Sequence, residues 1–435
     1  MAITLLHLSD IHMGSGSSHG RVNPVTGLNS RLEDFTQTLA RCIDRAVEES
    51  VDLVLFSGDA FPDATPPPVV QQAFAKQFRR LVDAQIPTVL LVGNHDQHSQ
   101  GQGGASLCIY RTLGVPGFIV GDRLDTHAIE THQGPVQVVT LPWLTRSALL
   151  TRPEMEGLSM AEVHRQLIER LRVALEGEVR RLDPKVPSIL LAHAMVDTAQ
   201  YGAERFLAAG RSFTIPMGLL ARPCFDYIAL GHVHKHQILS QQPLMLYPGS
   251  IERVDFSEEQ EEKGYVLVSL EKGQAQAQFC PLPVRPFRTL KIDVSDSDNP
   301  QADLLEAIVV ADLEQAIVRL NVRLRPDQLD QLDTNALEQA LHHAHSYSLN
   351  PLLVSQLSRP RLPELAADDQ REPIAALKAY VAHQQDLSEI ADDMIEAAQA
   401  LLAGEVIPRP TTDRSMAEEP GAEDPPEPSR QLRLL

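Results

Sequence analysis

Short apolar runs, each ended by glycine or a polar residue, recur along the chain: Thr4-Leu5-Leu6, Leu53 to Phe56, Val89 to Val92, Ile189 to Leu191 and Tyr227 to Leu230. Runs this short, bounded this way, read as strands buried on both faces. Between them lie stretches with helical spacing, Leu32 to Glu49, Val69 to Ala84 and Met160 to Arg181. The alternation predicts layered α/β structure from residue 1 to about 280. Leu141-Pro142-Trp143-Leu144 reads as a strand end. Prolines between Pro281 and Phe287 interrupt the pattern and mark a domain boundary. Beyond it Leu290, Ile292 and Val294 alternate with polar residues, as do Val318, Leu320, Val322 and Leu324. With a helical stretch from Ala302 to Gln315 between them, they predict a small α/β appendage over 285–365. From 370 to 403 the spacing is helical, with a stripe of Leu387, Ile390, Ala391, Met394, Ile395, Ala398 and Leu402 after a shorter one at Ile374, Leu377, Tyr380 and Val381. Residues 404–435, rich in Pro, Glu and Asp, are expected to be disordered. No internal repeat is visible.

Composition narrows the class. A chain of 435 residues with 43% hydrophobic content is long enough for two domains or more. No run approaches the length of a membrane span, and the first residues lack a signal-peptide pattern, since Asp10 comes early and no basic stretch precedes it. Cys42, Cys108, Cys224 and Cys280 are scattered without C-x-x-C spacing, as expected of reduced thiols in a cytoplasmic protein. The formal net charge of -20 argues against tight binding of DNA by this chain alone. Part of the acidity lies in Glu258 to Glu262, which reads as a solvated face, and in the tail.

The chemistry sits at the ends of the apolar runs. Asp10-Ile11-His12, Gly58-Asp59, Gly93-Asn94-His95-Asp96, His193 and Gly231-His232-Val233-His234 each follow one of them. Polar residues just past buried strands gather at the carboxyl edge of a sheet. Imidazoles, carboxylates and one amide are the inventory that two first-row divalent cations sharing a carboxylate require. Asp59 is the natural bridge. Asp10, His12 and His234 would complete one site, and Asn94, His193 and His232 the other. In D-x-H and H-x-H both side chains project to one side if the backbone is extended, so each pair can serve one ion or two, and spacing alone does not fix the division. The glycines at 58, 93 and 231 allow sharp turns and a close approach of backbone to an ion. Two dications about 3.5–4 Å apart can activate a water and clamp a phosphate during in-line attack. His95, spare in the ligand count, suits proton donation to the leaving group, with Asp96 orienting its ring. His7, His19, His98 and His236 fit no ligand slot and read as structural or solvent-exposed. The loop Gly14 to Gly20 reads equally as substrate-facing or merely flexible.

In order and spacing these motifs resemble the calcineurin-like metallophosphoesterase superfamily. That resemblance implies a four-layer αββα sandwich over residues 1–280, with two metals at one sheet edge. A further stretch, Tyr247-Pro248-Gly249-Ser250-Ile251-Glu252-Arg253-Val254-Asp255-Phe256 followed by Glu261-Glu262-Lys263-Gly264-Tyr265, is similar to the SbcD family, the nuclease subunits of bacterial SbcCD complexes. By that resemblance the first metal belongs to Asp10, His12, Asp59 and His234, and the second to Asp59, Asn94, His193 and His232, with His95 as the catalytic histidine. It further implies two Mn2+ ions and 3′-to-5′ exonuclease activity on duplex ends, with endonuclease activity on single strands and hairpins. The partner it implies is an SbcC-type coiled-coil ATPase, bound to a homodimer of this chain within a heterotetramer. The appendage then corresponds to a capping domain and 370–403 to the segment that docks on the coiled coil. The ATPase would supply much of the basic surface that this chain lacks.

One position departs from the pattern. Many relatives carry an Asp or His three residues after the bridging aspartate; here that residue is Pro62, with Asp63 one step later. A proline offers no backbone N–H, so the auxiliary role of that position is expected to be lost or moved, and the balance of exo- and endonuclease activity with it. Two other readings compete with the nuclease: a phosphatase or nucleotidase of the same superfamily, and a catalytically idle scaffold that regulates an ATPase.

Overall fold

The structure is a computed structural model, and it describes residues 2–98, 104–145, 157–202, 214–354, 373–382 and 390–403. The expected disordered tail, 404–435, and Leu387 of the helical stripe lie outside the described residues. The chain divides into two compact units, Met1–Val354 and Ser355–Leu435.

In chain order the first unit contains β1 (Ile3–Leu8), β2 (Leu53–Phe56), β3 (Thr88–Leu91), β4 (Phe118–Gly121), β5 (Asp125–Thr131), β6 (Gly134–Leu141), β7 (Ser188–His193), β8 (Tyr227–Gly231), β9 (Gln237–Gln241), β10 (Leu244–Tyr247), β11 (Gly264–Glu271) and β12 (Gln274–Pro281). They form two six-stranded sheets, ordered β12-β11-β1-β2-β3-β4 and β5-β6-β7-β8-β10-β9. Strands β1 to β4 run parallel, as do β6, β7, β8 and β10, while the outer partners are antiparallel. The two-residue period of a strand explains how each sheet finds two partners. Leu5, Leu53, Leu55, Ile189, Leu191 and Ala229 face the opposite sheet in one shared core. The alternate residues face helices. Leu6, Leu8, Val54 and Phe56 pack beneath α1 (Ser30–Glu48) and α2 (Pro68–Asp83), whereas Leu190, Ile228 and Leu230 pack beneath α3 (Met160–Val179). The result is the expected αββα sandwich.

Local signals begin the helices where the spacing predicts. Asn29 caps α1 by accepting from the Arg31 N–H, Pro68 opens α2 where no N–H is needed, and Ser159 with Glu162 forms a capping box for α3. After Pro281 the chain builds a three-stranded parallel sheet from β13 (Phe287–Asp293), β14 (Ile317–Leu324) and β15 (Ser346–Leu353). The helix α4 (Pro300–Val310) covers it and stops short of the expected Gln315, because residues 313–316 turn back to lead into β14. This appendage is tied to the sandwich by arginines. Arg285 meets both oxygens of Asp34 at 2.6 and 2.7 Å, and the buried Arg31 donates to Asp34 at 2.7 Å and to the Arg253 carbonyl at 2.7 Å. Ser346 Oγ also donates to the carbonyl of His19 at 2.6 Å, so the Gly14–Gly20 loop is held against the appendage.

The second unit contains α5 (Pro373–Ala382) and α6 (Ala391–Ala403), which contact each other. Among the described residues no helix is long and apolar enough to cross a membrane.

Candidate metal centre

The motif residues converge where the carboxyl ends of both sheets meet. Asp10, Asp59 and Asn94 follow β1, β2 and β3 of one sheet, while His193 ends β7 and His232 follows β8 of the other. A bridge between Ser9 and Ser250 joins the sheets at this edge. The site is therefore built between two sheets rather than along one.

Three groups of metal-liking atoms form there, each with its atoms within 4.8 Å of one another: Asp10, His12 and His234; His12, Asp59 and His95; and Asp59, His193 and His232. Asp59 Oδ2 is 3.7 Å from His12 Nε2 and 3.3 Å from His193 Nε2, between the first and third groups. Asn94 Oδ1 joins the third, 2.9 Å from His193 Nε2 and 2.8 Å from His232 Nδ1. His12 Nε2 and His234 Nε2 face each other at 3.0 Å. Asp10 accepts the His232 backbone N–H on both oxygens at 3.1 Å, and Ser9 Oγ donates to it at 2.5 Å.

Neighbouring groups select which nitrogens carry lone pairs. His193 Nδ1 donates to the Ser57 carbonyl at 2.7 Å, and His234 Nδ1 donates to Glu258 Oε1 at 2.6 Å. Each therefore presents its Nε2 lone pair to the cluster, as metal-ligating imidazoles do when an acceptor holds their other nitrogen. His193 Nε2, Asn94 Oδ1 and Asp59 Oδ2 then face one another, with Nε2 2.9 Å from Asn94 and 3.3 Å from Asp59. That arrangement fits divalent cations, and the donor types fit first-row metals. The electrostatics agree. Burial opposes a charge on His193, but Asp59, Asp10 and the Ser57 carbonyl together more than offset this and push the imidazole up to about 9. The pocket demands positive charge. Burial likewise raises the Asp10 carboxyl and lowers His12, the latter helped by His234.

The backbone departs from the expected extended form. Asp10, His12 and Asp59 have φ of 50°, 46° and 60°, and His232 has 105°. Side chains rarely adopt these values, and such strain concentrates at functional sites. Alternation along an extended strand thus does not explain why Asp10 and His12 share a site; tight left-handed turns do. Gly58 makes the sharp turn expected of it, with φ of 103°. A Cβ on Gly58 would lie 2.4 Å from His193 Nδ1, and one on Gly231 would lie 2.1 Å from the Ser57 carbonyl oxygen. They make room for the His193 ring and for the Ser57 main chain.

His95 stands edge-on to His12 with ring centroids 4.9 Å apart, beside an open cavity of about 260 Å³ lined by Pro62, Asp63, Thr65, Gln97 and His98 among others. Its backbone N–H donates to Asp59 Oδ1 at 2.8 Å, and its Nδ1 to the Pro62 carbonyl at 2.7 Å. Asp96 does not orient this ring. Its buried oxygens accept from the backbone N–H groups of Asp59, Ala60 and Gly93 at 2.9 to 3.0 Å, fixing two motif loops together. Burial, then the nearby Asp59, pushes its carboxyl up to about 7.

Residues 3–236, more than half of the chain, match the family described as calcineurin-like phosphoesterase. The chain belongs to that family. Among solved structures it is similar to TT1561 of Thermus thermophilus (16% identity, 64% of this chain and 99% of that one, TM-score 0.36). It is also similar to a dimetal phosphatase from Danio rerio (10%, 64% and 95%, TM-score 0.39) and to the purple acid phosphatase PPD1 from yellow lupin, Lupinus luteus (14%, 65% and 52%, TM-score 0.37). A calcineurin-like phosphoesterase is a metal-dependent hydrolase of phosphoesters.

Sequence reasoning missed the groups that support the cluster. Glu258, expected on a solvated face, is buried, bonded to His234 and paired with the buried Lys263 at 2.7 Å. Lys263 also donates to the His234 carbonyl at 3.1 Å. Trp143 lies against His232, centroids 4.8 Å apart. Of the four spare histidines, His7 is buried between the sheets on Tyr227 and Ser57, and His236 stacks on Phe279. Neither belongs to the metal-liking groups.

Proposed function

We propose that this phosphoesterase is a Mn2+-dependent DNA phosphodiesterase of the SbcD type, working with an SbcC-type ATPase as a homodimer within a heterotetramer. The observation that carries the finer reading is the stretch Tyr247–Tyr265. It supplies Glu258 to His234, and its Arg253 side chain donates to the Arg285 carbonyl at 3.1 Å, joining the centre to the appendage. A simple phosphatase has no need of such an appendage, whereas a polymer that must be aligned past the centre does.

In this reading Asp10, His12, Asp59 and His234 hold one ion, and Asp59, Asn94, His193 and His232 the other. Bound there, the ions supply the charge that activates water and neutralises the phosphate oxygens. Asp59 sets their spacing, Ser57 and Glu258 fix the ligand tautomers, and His95 donates the leaving-group proton. The net charge of -20 is then answered by a partner that provides the basic surface.

The test is degradation of an end-labelled linear duplex by the purified chain with Mn2+, with EDTA, and by an Asp59→Asn variant. Shortening that vanishes in EDTA and in the variant is expected. No cleavage even with the cognate ATPase and ATP, alongside turnover of p-nitrophenyl phosphate, would favour the phosphatase reading. Failure to bind two equivalents of Mn2+ would favour the idle scaffold.

A further inference from the structure

We infer that the segment Ala60–Pro68 is a rigid bracket that positions His95 through the backbone carbonyl of Pro62. This role rests on the hydrolase reading of His95 given above. Many relatives carry an Asp or His side chain at the position of Pro62, and the role of that side chain is expected to be lost or moved here. With proline there the ring is still held: Nδ1 donates to the Pro62 carbonyl at 2.7 Å. The auxiliary role has moved from a side chain to the main chain.

The consequence is chemical. A carboxylate or imidazole at this place can exchange a proton with the ring, but a carbonyl oxygen only accepts. Nδ1 must keep its proton, so Nε2 is the one atom of His95 that can give or take one. As the bond from phosphorus to the leaving oxygen breaks, its electron pair stays on that oxygen, which takes the Nε2 proton. The oxygen of the attacking water forms the new bond to phosphorus and gives one proton to solvent, and the ring is left neutral with its Nδ1–H still on Pro62. Solvent then restores the Nε2 proton.

A carbonyl cannot be re-aimed by a side-chain rotation, so its direction depends on the stiffness of the loop that carries it. This loop is pinned along its length. Ala60 donates its N–H to Asp96 at 3.0 Å and accepts from Met13 at 2.9 Å. Phe61 is buried against Phe74, centroids 5.1 Å apart. Pro62 itself has φ locked by its ring. Asp63 closes a turn by accepting from the Thr65 N–H at 2.8 Å and Oγ at 3.1 Å. Pro66, Pro67 and Pro68 then lead into α2, with Gln71 Nε2 donating to the Pro66 carbonyl at 2.7 Å. Four prolines within seven residues restrict the unfolded chain as well as the folded loop. Asp63 does not hold the ring: its Oδ1 caps the turn, and Nδ1 of His95 is bonded to the Pro62 carbonyl instead.

The test compares two esters that differ in their need for a proton. A p-nitrophenolate leaves unaided, whereas an alkoxide needs an acid. Full-length wild type, Pro62→Ala, Pro62→Gly, Asp63→Ala and His95→Gln would be assayed with Mn2+ on bis(p-nitrophenyl) phosphate and on a single-stranded oligonucleotide. An alkyl phosphomonoester replaces the oligonucleotide if DNA is not a substrate. Loosening the bracket with Pro62→Gly or Asp63→Ala is expected to lower kcat on the alkoxide ester by about 10-fold or more, with less than about 2-fold on the nitrophenyl ester. Pro62→Ala, which frees the backbone far less than glycine does, is expected to stay near wild type. In a His95→Gln background the loosening variants should add no further loss. Independently of turnover, 15N-histidine NMR of wild type should show His95 protonated at Nδ1. Equal losses on both esters, additive losses with His95→Gln, or an unprotonated Nδ1 would overturn the assignment. Absence of any wild-type turnover would instead sink the hydrolase reading, and the NMR result would still decide whether the Pro62 carbonyl holds the ring.

Discussion

Glu258 Oε1 lies 2.6 Å from Nδ1 of His234, and both residues are buried at the edge of the metal-liking cluster. The carboxylate fixes the tautomer of the imidazole and leaves Nε2 for an ion, while Lys263 at 2.7 Å balances its charge. Burial opposes the Glu258 charge, but Lys263 and His234 together hold the carboxyl far below its ordinary range. Glu258→Ala should therefore weaken Mn2+ binding by about 10- to 100-fold, read by calorimetric titration, with Glu258→Gln intermediate. Unchanged affinity in both variants would show that His234 needs no orienting partner.

The architecture was legible because burial on two faces leaves a plain signature. Leu53 to Phe56 and Tyr227 to Leu230 are continuous apolar runs, and each turned out to be a strand between a sheet and a helix layer. The metal-liking residues that meet at the sheet edges were legible from residue type and place. What pattern could not show is geometry that ignores periodicity. The positive φ of Asp10, His12 and Asp59 has no signal in side-chain spacing. Glu258 looked solvated because it stands in an acidic run, and only its pairing with Lys263, five residues on, hinted at burial. The Pro62 carbonyl was invisible for a simpler reason: every residue has one.

His7 offers a pH test separate from the metal ligands. It is buried between the sheets on Tyr227 and Ser57, and burial, aided by His236, lowers its pKa from 6.5 to about 3. Below pH 6.5 the unfolded chain takes up a proton here that the native state refuses until about pH 3. The unfolded state binds more protons, so stability falls as the solution is acidified through that window. The slope from this one site is about 1.4 kcal/mol per pH unit. Urea melts in EDTA should show a shallower acid limb for His7→Gln than for wild type, and parallel limbs would mean that His7 charges in the native state.

Gly58 and Gly177 make a matched pair. At Gly58, φ is 103° and a Cβ would press on His193 Nδ1 at 2.4 Å; at Gly177, on the exposed side of α3, a Cβ meets nothing within 4 Å. Gly58→Ala should cost about 3 kcal/mol from strain and overpacking, and should weaken metal binding by displacing His193. Gly177→Ala should stabilise the helix by about 0.5–1 kcal/mol. Denaturant melts of both variants check the contrast, and equal effects would refute the close approach at Gly58.

Asp34 is the acceptor on which the sandwich and the appendage both depend. Arg31 is fully buried and Arg285 is 17% exposed, and both donate to this one carboxylate, itself 13% exposed. Removing it takes the anion from Arg285 and leaves Arg31 with Glu252 alone, at 3.7 Å, and breaking a buried pair by removing one partner costs about 3–5 kcal/mol. On α2 the pair Arg79–Asp83 has 2.7 Å geometry too, but its side chains are 71% and 58% exposed. Water and salt screen such a pair, so Asp83→Ala should change stability by less than about 1 kcal/mol. Asp34→Ala should instead lower the urea midpoint sharply. It should also open the 281–287 connection to protease before the sandwich unfolds, since Arg285 loses its hold there while the sheets keep theirs. A variant that melts in one transition with an intact connection would mean that Arg253, Ser346 and the packing of Phe287 on Phe256, ring centroids 4.9 Å apart, suffice to hold the appendage without Asp34.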